Sequence, residues 1–181
     1  LPLNVGVLLG APCVLGTMLD NEELVALFKG ELNEEIAAKK MSRNVFSYLN
    51  GSLILGLKDH MGHYIMSDEM IDRVFEVTSK ANLMFMSHTQ CPEHAERIVG
   101  LSRGRAVHLA HATAAGCGTH GDPVESMATV IELCKQEHVS AEFVSSMLRP
   151  GLGNRDGLQM TKAAQQLAYD ALEAGIVNII N

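Results

Sequence analysis

Six short apolar runs, separated by stretches with helical periodicity, are the feature that most constrains the fold of this chain. Runs of this length and composition are typical of strands that are buried on both faces, as in a parallel sheet. No short turn signal of a β-hairpin joins one run to the next. The alternation therefore predicts a parallel α/β fold. The predicted strands are 5–9, 53–58, 83–88, 106–112, 139–147 and 176–180.

Capping residues mark where the intervening helices begin. Asp20 and Glu23 form a capping-box pattern, and Ser67 precedes a helix with acidic residues in its first turn. Pro92 suits the first position of a helix that we expect to close at Gly100. The remaining predicted helices are 33–43, one that starts at the Asp122-Pro-Val-Glu125 capping box, and 158–173, whereas 10–16 is predicted to be a loop.

Composition limits the class of protein. With 181 residues, of which 47% are hydrophobic and 19% charged, the chain is predicted to form one globular domain over 1–181. A net charge of -7 and the absence of a basic run argue against a nucleic-acid partner. No apolar stretch reaches the roughly 18 residues of a membrane span. Four scattered cysteines without a C-x-x-C pair favour a reducing compartment, so we expect a cytoplasmic protein.

The ends of the sequence suggest a partial chain. It begins at Leu1 without a methionine and stops at Asn181, directly after a strand-like run. We therefore expect this chain to be part of a larger polypeptide, or to pair with a separate segment.

Three of the predicted strands end on residues with metal-binding chemistry. Lys58, His88 and His111 stand at the ends of three successive strands. Side chains at the carboxyl ends of parallel strands converge on one crevice, and imidazole suits zinc and similar metals. A lysine amine is protonated at neutral pH, so Lys58 would bind metal only after carbamylation by carbon dioxide. The three residues together predict a metal site at this edge of the sheet.

Each residue taken alone also has an ordinary structural interpretation. A lysine at a strand end is about as often a surface charge or a phosphate partner, and a lone histidine there is more often a structural group than a ligand. The repeated position in three consecutive βα units is what favours the metal site. An unrelated parallel α/β protein with structural histidines stays open as an alternative.

This pattern resembles the amidohydrolase superfamily of metal-dependent (β/α)8 barrels, in particular its dihydroorotase, hydantoinase and D-aminoacylase-like branches. In that superfamily the fourth strand commonly ends in the carbamylated lysine, here Gly56-Leu-Lys58, and the fifth in a histidine ligand, here Met86-Ser-His88. The sixth ends in a His-x-x-His-x-[Ser/Thr] setting, matched by 108–113, in which His111 is the ligand. His108 is then expected to point away from the site and to have a structural role.

The resemblance implies a fold, a reaction and a cofactor. It makes this chain strands three to eight of a TIM-type barrel, with one or two zinc ions held by Lys58, His88 and His111. It implies hydrolysis of an amide, cyclic amide or related C–N bond in a small molecule by a metal-activated water, and a homo-oligomer. The family's first-strand His-x-His is absent, and its catalytic aspartate would lie beyond Asn181. The alternative within this family is a catalytically inactive scaffold that works by oligomerising.

Polar loop residues beside these strand ends are candidate substrate contacts. His60 and His63 follow Lys58 closely, and Arg149 stands in a glycine-rich loop where its guanidinium could hold a substrate carboxylate. The plainer alternative for all three is a solvated loop. Three further residues follow the ligand strands: Cys91, Cys117 and His120. A thiolate ligand or a nucleophile is one interpretation of the cysteines, and close packing of small residues in the loop is the simpler one.

Overall fold

The computed structural model describes residues 6–51, 53–59, 66–89, 91–112, 123–143 and 162–178. Two compact units can be distinguished within these residues. The first holds the described residues up to 59 together with 66–86, and the second holds the described residues from 87 onward.

The first unit alternates strands with helices. It opens on a strand, continues through four short helices to a second strand, and reaches a third strand through a longer helix. In chain order its elements are β1 (Val7–Gly10), α1 (Ala11–Leu15), α2 (Asn21–Lys29), α3 (Glu34–Lys40), α4 (Arg43–Leu49), β2 (Ile54–Lys58), α5 (Asp68–Ala81) and β3 (Met84–His88). The boundary between the units falls inside β3, after Met86.

Helix α2 begins where its sequence predicts, because the capping box forms. The Asp20 carboxylate accepts a hydrogen bond from the backbone N–H of Glu23 at 2.9 Å, and the Glu23 carboxylate accepts one from the backbone N–H of Asp20 at 2.8 Å. An N-cap of this kind stabilises a helix by about 1 kcal/mol. The helix ends at Gly30, whose φ of 77° lies in the left-handed region that glycine tolerates. Leu24 and Phe28 form part of its buried face.

Helix α5 anchors the core of the first unit. Val74 and Phe75 are fully buried, and the ring of Phe75 meets that of Phe85 on β3 edge to face, with ring centres 4.9 Å apart. Arg73, on the same helix, donates a hydrogen bond to the carbonyl of Leu19 at 2.7 Å. The aromatic pair therefore joins the helix to the strand, and the arginine ties the helix to the segment before α2.

The second unit continues the same alternation from the end of β3. Its remaining elements are α6 (Pro92–Ser102), β4 (Val107–Ala110), α7 (Pro123–Leu133), β5 (Val139–Phe143), α8 (Lys162–Glu173) and β6 (Val177–Asn178).

All recorded strand pairs are parallel, and in each unit the strands lie in sequence order. In the first unit Leu57 of β2 stands between Leu9 of β1 and Phe85 of β3. In the second, Leu109 of β4 pairs with Ala141 of β5. The predicted parallel α/β fold is thus confirmed. None of the described helices has the length and hydropathy needed to cross a membrane.

Two helices were not predicted, and both lack a long apolar stripe. Helix α1 occupies the predicted 10–16 loop. The predicted helix 33–43 is two helices, because α3 ends at Lys40 and the Ser42 hydroxyl then caps α4 by accepting from the N–H of Val45 at 3.3 Å. Helix α4 buries none of its residues, so hydrophobic periodicity could not reveal it.

Helix α6 runs past its predicted end. We expected it to close at Gly100, but it continues to Ser102, whose buried hydroxyl donates to the carbonyl of Val99 at 2.6 Å. Arg103 then ends the helix with a φ of 50°, followed by Gly104 with a φ of 84°. Gly100 is therefore an interior helical residue, and the left-handed turn lies three residues later.

Candidate metal-binding site

Strands β4 and β5 separate an apolar face from a polar one. Successive side chains of a strand point to opposite faces; alternate residues are buried along β5, and along β4 as far as Leu109, after which Ala110 is buried as well. The polar residues at the intervening positions are His108 on β4 and Ser140 and Glu142 on β5. The buried apolar set is Val107, Leu109, Val139, Ala141 and Phe143.

His88 and His111 come together at the carboxyl ends of their strands. His88 is the last residue of β3, and His111 directly follows β4. The two strand ends are aligned by a hydrogen bond from the backbone N–H of Thr89 to the carbonyl of Ala110, 3.0 Å long. The imidazole centres are 5.8 Å apart, with the ring planes at 69°. The structure therefore brings together two of the three predicted ligands.

This spacing fits two imidazoles that share one ion. With zinc–nitrogen bonds of about 2 Å, two imidazole rings on a tetrahedral ion have their centres roughly 5 Å apart. Within the part of the chain that the structure describes, however, no three side chains of His, Cys, Asp or Glu form a group able to hold a metal ion. The pair is therefore compatible with two of the ligands of a zinc ion but does not by itself complete a ligand set.

Glu142 lies between two imidazoles on the polar face. One of its carboxylate oxygens is 3.3 Å from Nδ1 of His111, and the other is 3.6 Å from Nε2 of His108. The other ring nitrogen of His108, Nδ1, is 2.9 Å from the hydroxyl of Ser140. His108 thus has a side-chain hydrogen-bond partner, as expected, but it shares a carboxylate with His111, so the expectation that it points away from that residue is wrong.

The backbone of His111 is in an uncommon conformation. Its φ of 53° lies in the left-handed region, which costs a residue with a side chain roughly 1 kcal/mol or more. Histidine is among the residue types found there more often than most. The conformation turns the chain immediately after β4 and fixes the direction in which the imidazole leaves the strand.

Lys58 lies in the first unit, at the end of β2. It stands in register with Met86 of β3, and its Nζ atom is buried. The next residue, Asp59, is fully buried and donates its backbone N–H to the carbonyl of Met86 at 3.1 Å. Because His88 and His111 belong to the second unit, the convergence of Lys58 with the two histidines stays a prediction.

A further histidine, His94, is buried close enough to His88 to interact with it electrostatically. Its Nε2 is 3.5 Å from the hydroxyl of Ser87, the buried residue before His88. Burial, followed by the charges of Arg97 and His88, lowers the pKa of His94 to about 4. The ring is therefore neutral at pH 7, as a packed structural imidazole should be.

The remaining candidates contribute little to the described site. His60, His63, Arg149, Cys117 and His120 lie outside the described residues. Cys91 is a free thiol at the start of α6, and burial raises its pKa. A raised pKa reduces the thiolate fraction, which favours the packing interpretation over a nucleophile or ligand.

Sequence reasoning did not identify Glu142, His94 or Asp59. A signal for Glu142 exists in the strand itself, since Ser140 and Glu142 alternate with apolar residues and mark a polar face. Asp59 begins the polar stretch that runs to His63 in the sequence, and nothing in its immediate neighbours indicates that it is buried.

Comparison with protein-family models, curated proteins and solved structures finds no match to this chain. The case for a function therefore rests on the geometry of the residues described above.

Proposed function

We propose that this protein is a metal-dependent hydrolase of the amidohydrolase type, cleaving an amide, cyclic amide or related C–N bond in a small molecule. The observation that carries the proposal is the pairing of His88 with His111 at the carboxyl ends of β3 and β4, with ring centres 5.8 Å apart. These are the two positions from which that superfamily delivers its histidine ligands, so the resemblance and the geometry agree on the same side chains.

The proposed architecture is part of a (β/α)8 barrel. Strands in strict sequence order within each unit support it, because a doubly wound sheet reverses its strand order at a switch point. The alternate burial on β5 also supports it, since each barrel strand carries one face towards the helices and one towards the interior.

Each ligand residue has a distinct role in this proposal. His88 and His111 would hold zinc through neutral imidazole nitrogens, and Lys58, once carbamylated on its buried Nζ, would be the ligand residue for a second ion. Zinc held there would polarise the scissile carbonyl and make a water molecule more acidic. The resemblance assigns the proton transfer from that water to the leaving nitrogen to an aspartate beyond Asn181.

Zinc content and affinity test the proposal. We expect the purified protein to hold one or two zinc ions per chain. His88→Ala and His111→Ala should each weaken zinc binding by at least about 100-fold, which is the upper end of the loss for a residue that contacts a ligand rather than the metal. The loss should be this large because each substitution removes a direct ligand. The matched control is His138→Asn, which changes a histidine at the amino end of β5 whose Nε2 is 3.0 Å from the Ser102 hydroxyl. This variant should bind zinc like the wild type.

Activity against a panel of cyclic and N-acyl amides completes the test. The two ligand variants should lose turnover together with zinc, whereas His138→Asn should retain it. A wild-type protein that oligomerises but carries only traces of zinc would instead support the inactive scaffold.

A further inference from the structure

We infer that Glu142 is a positioning residue that holds the proton of His111 on Nδ1, so that Nε2 of His111 is the nitrogen presented to the metal. The inference rests on the proposed metal site, but it concerns a residue that the resemblance does not assign. It also makes a statement about the metal-free protein, which can be tested without zinc.

The contacts of the carboxylate carry the argument. Glu142 Oε1 is 3.3 Å from Nδ1 of His111, within ion-pair distance and just beyond the usual range of an N–H···O hydrogen bond. A carboxylate has no proton to donate and attracts an N–H dipole, so its position beside Nδ1 favours the tautomer in which Nδ1 carries the proton. Nε2 then keeps the lone pair that a metal needs. Carboxylate partners of this kind commonly fix the ring orientation of metal-binding histidines.

Burial explains why the carboxylate must have such partners. The side chain of Glu142 is only 18% exposed and that of His108 14%, whereas His111 is 45% exposed. A buried carboxylate is costly unless hydrogen-bond donors or positive charges surround it. Each carboxylate oxygen of Glu142 lies within 3.6 Å of an imidazole nitrogen, and the more exposed of the two rings, His111, is the one able to reach a ligand.

The backbone of His111 supports the same inference. Its φ of 53° is a conformation that the surrounding structure must maintain at some cost. Strain of this kind accompanies sites in which one side-chain direction matters. The left-handed backbone sets the direction in which the His111 side chain leaves the chain, and the contact with Glu142 holds the ring at Nδ1.

Nitrogen-15 NMR of the imidazoles in the metal-free protein, together with zinc affinity from chelator competition, tests the inference. In the wild type, His111 should be in the Nδ1–H form. Glu142→Ala should shift it towards the Nε2–H form that ordinarily predominates in a free histidine side chain, and should weaken zinc binding about 10- to 100-fold. Glu142→Gln keeps an oxygen acceptor of the same size, so it should preserve the tautomer and lose less affinity.

Glu132→Ala is the matched control, because Glu132 is an exposed glutamate paired with Lys135 on a helix. It should change neither the tautomer nor the affinity. An unchanged His111 tautomer in Glu142→Ala overturns the inference whatever the zinc affinity, and the near-isosteric Glu142→Gln provides a folded reference. A wild-type protein that has the Nδ1–H form but binds no zinc would refute the proposed function and leave the assignment of Glu142 standing.

Discussion

At the scale of single residues, the buried imidazole of His94 makes folding stability depend on pH. The pKa of His94 is lowered from 6.5 to about 4, chiefly by burial. Between these two values the unfolded chain binds a proton that the native state does not, so stability falls as the pH is lowered from about 6.5 towards 4 and is unaffected above that range. The loss is on the order of 2 kcal/mol once partial solvent screening is allowed for.

Urea unfolding at pH 7 and pH 5 measures this effect. We expect His94→Gln, which stays neutral at both values, to lose less stability between them than the wild type does. Identical losses of unfolding free energy in the two proteins would mean that His94 takes up a proton at pH 5 in the native state as readily as in the unfolded chain.

The role proposed for Lys58 differs chemically from that of the histidine ligands, and rescue by a small carboxylic acid can distinguish the two. A carbamate forms only on a neutral amine and persists when burial and metal coordination favour it. Lys58→Ala should therefore lose metal and activity, and added formate or acetate should restore part of both by occupying the vacated bridge. His111→Ala should not respond to the acid, because it lacks a nitrogen ligand.

Metal content with and without the acid measures the rescue, and carbon-13 NMR after equilibration with labelled bicarbonate detects the carbamate directly. The carbamate signal should be present in the wild type and absent from Lys58→Ala. If Lys58→Ala keeps wild-type metal content and turnover, the binuclear interpretation is wrong.

At the scale of elements, two glycines in regular structure should respond to alanine in opposite ways. A Cβ at Gly56 of β2 would lie 2.1 Å from the carbonyl oxygen of Met84 on β3, so the two strand backbones would have to move apart. Overpacking of this kind costs roughly 1–3 kcal/mol. A Cβ at Gly100 of α6 would meet no atom within 4 Å, and alanine in a helix interior gains roughly 0.5–1 kcal/mol over glycine.

The midpoints of denaturant unfolding should therefore fall for Gly56→Ala and rise for Gly100→Ala. The second result also tests where α6 ends. If Gly100→Ala were destabilised instead, the result would indicate that α6 ends at Gly100, as the sequence alone predicts, because alanine is disfavoured at a left-handed cap.

Elements were predictable where a local signal existed. The capping box at Asp20 and the alternating apolar runs identified α2 and all six strands. Helix α4 was not predicted because none of its residues is buried, so it has no apolar stripe. The end of α6 was not predicted because Arg103 adopts a backbone conformation more often taken by glycine.

At the scale of the whole molecule, the sequence revealed which residues end the strands but not which side chains lie across from them. His88 and His111 were paired correctly because successive parallel strands bring their carboxyl ends together. Glu142 was missed because its contact with His111 depends on the register between β4 and β5, which no local pattern encodes. The architecture follows from periodicity, whereas the surroundings of a ligand follow from tertiary contacts.

The order of the strands also bears on how the chain is made. Within each unit, every strand lies beside the one that precedes it in the sequence. A ribosome therefore releases each later strand of a unit when the neighbour that precedes it has already left the exit tunnel. Translation from the amino terminus can thus guide the assembly of each unit one βα step at a time, which shortens the interval in which apolar strands are open to aggregation.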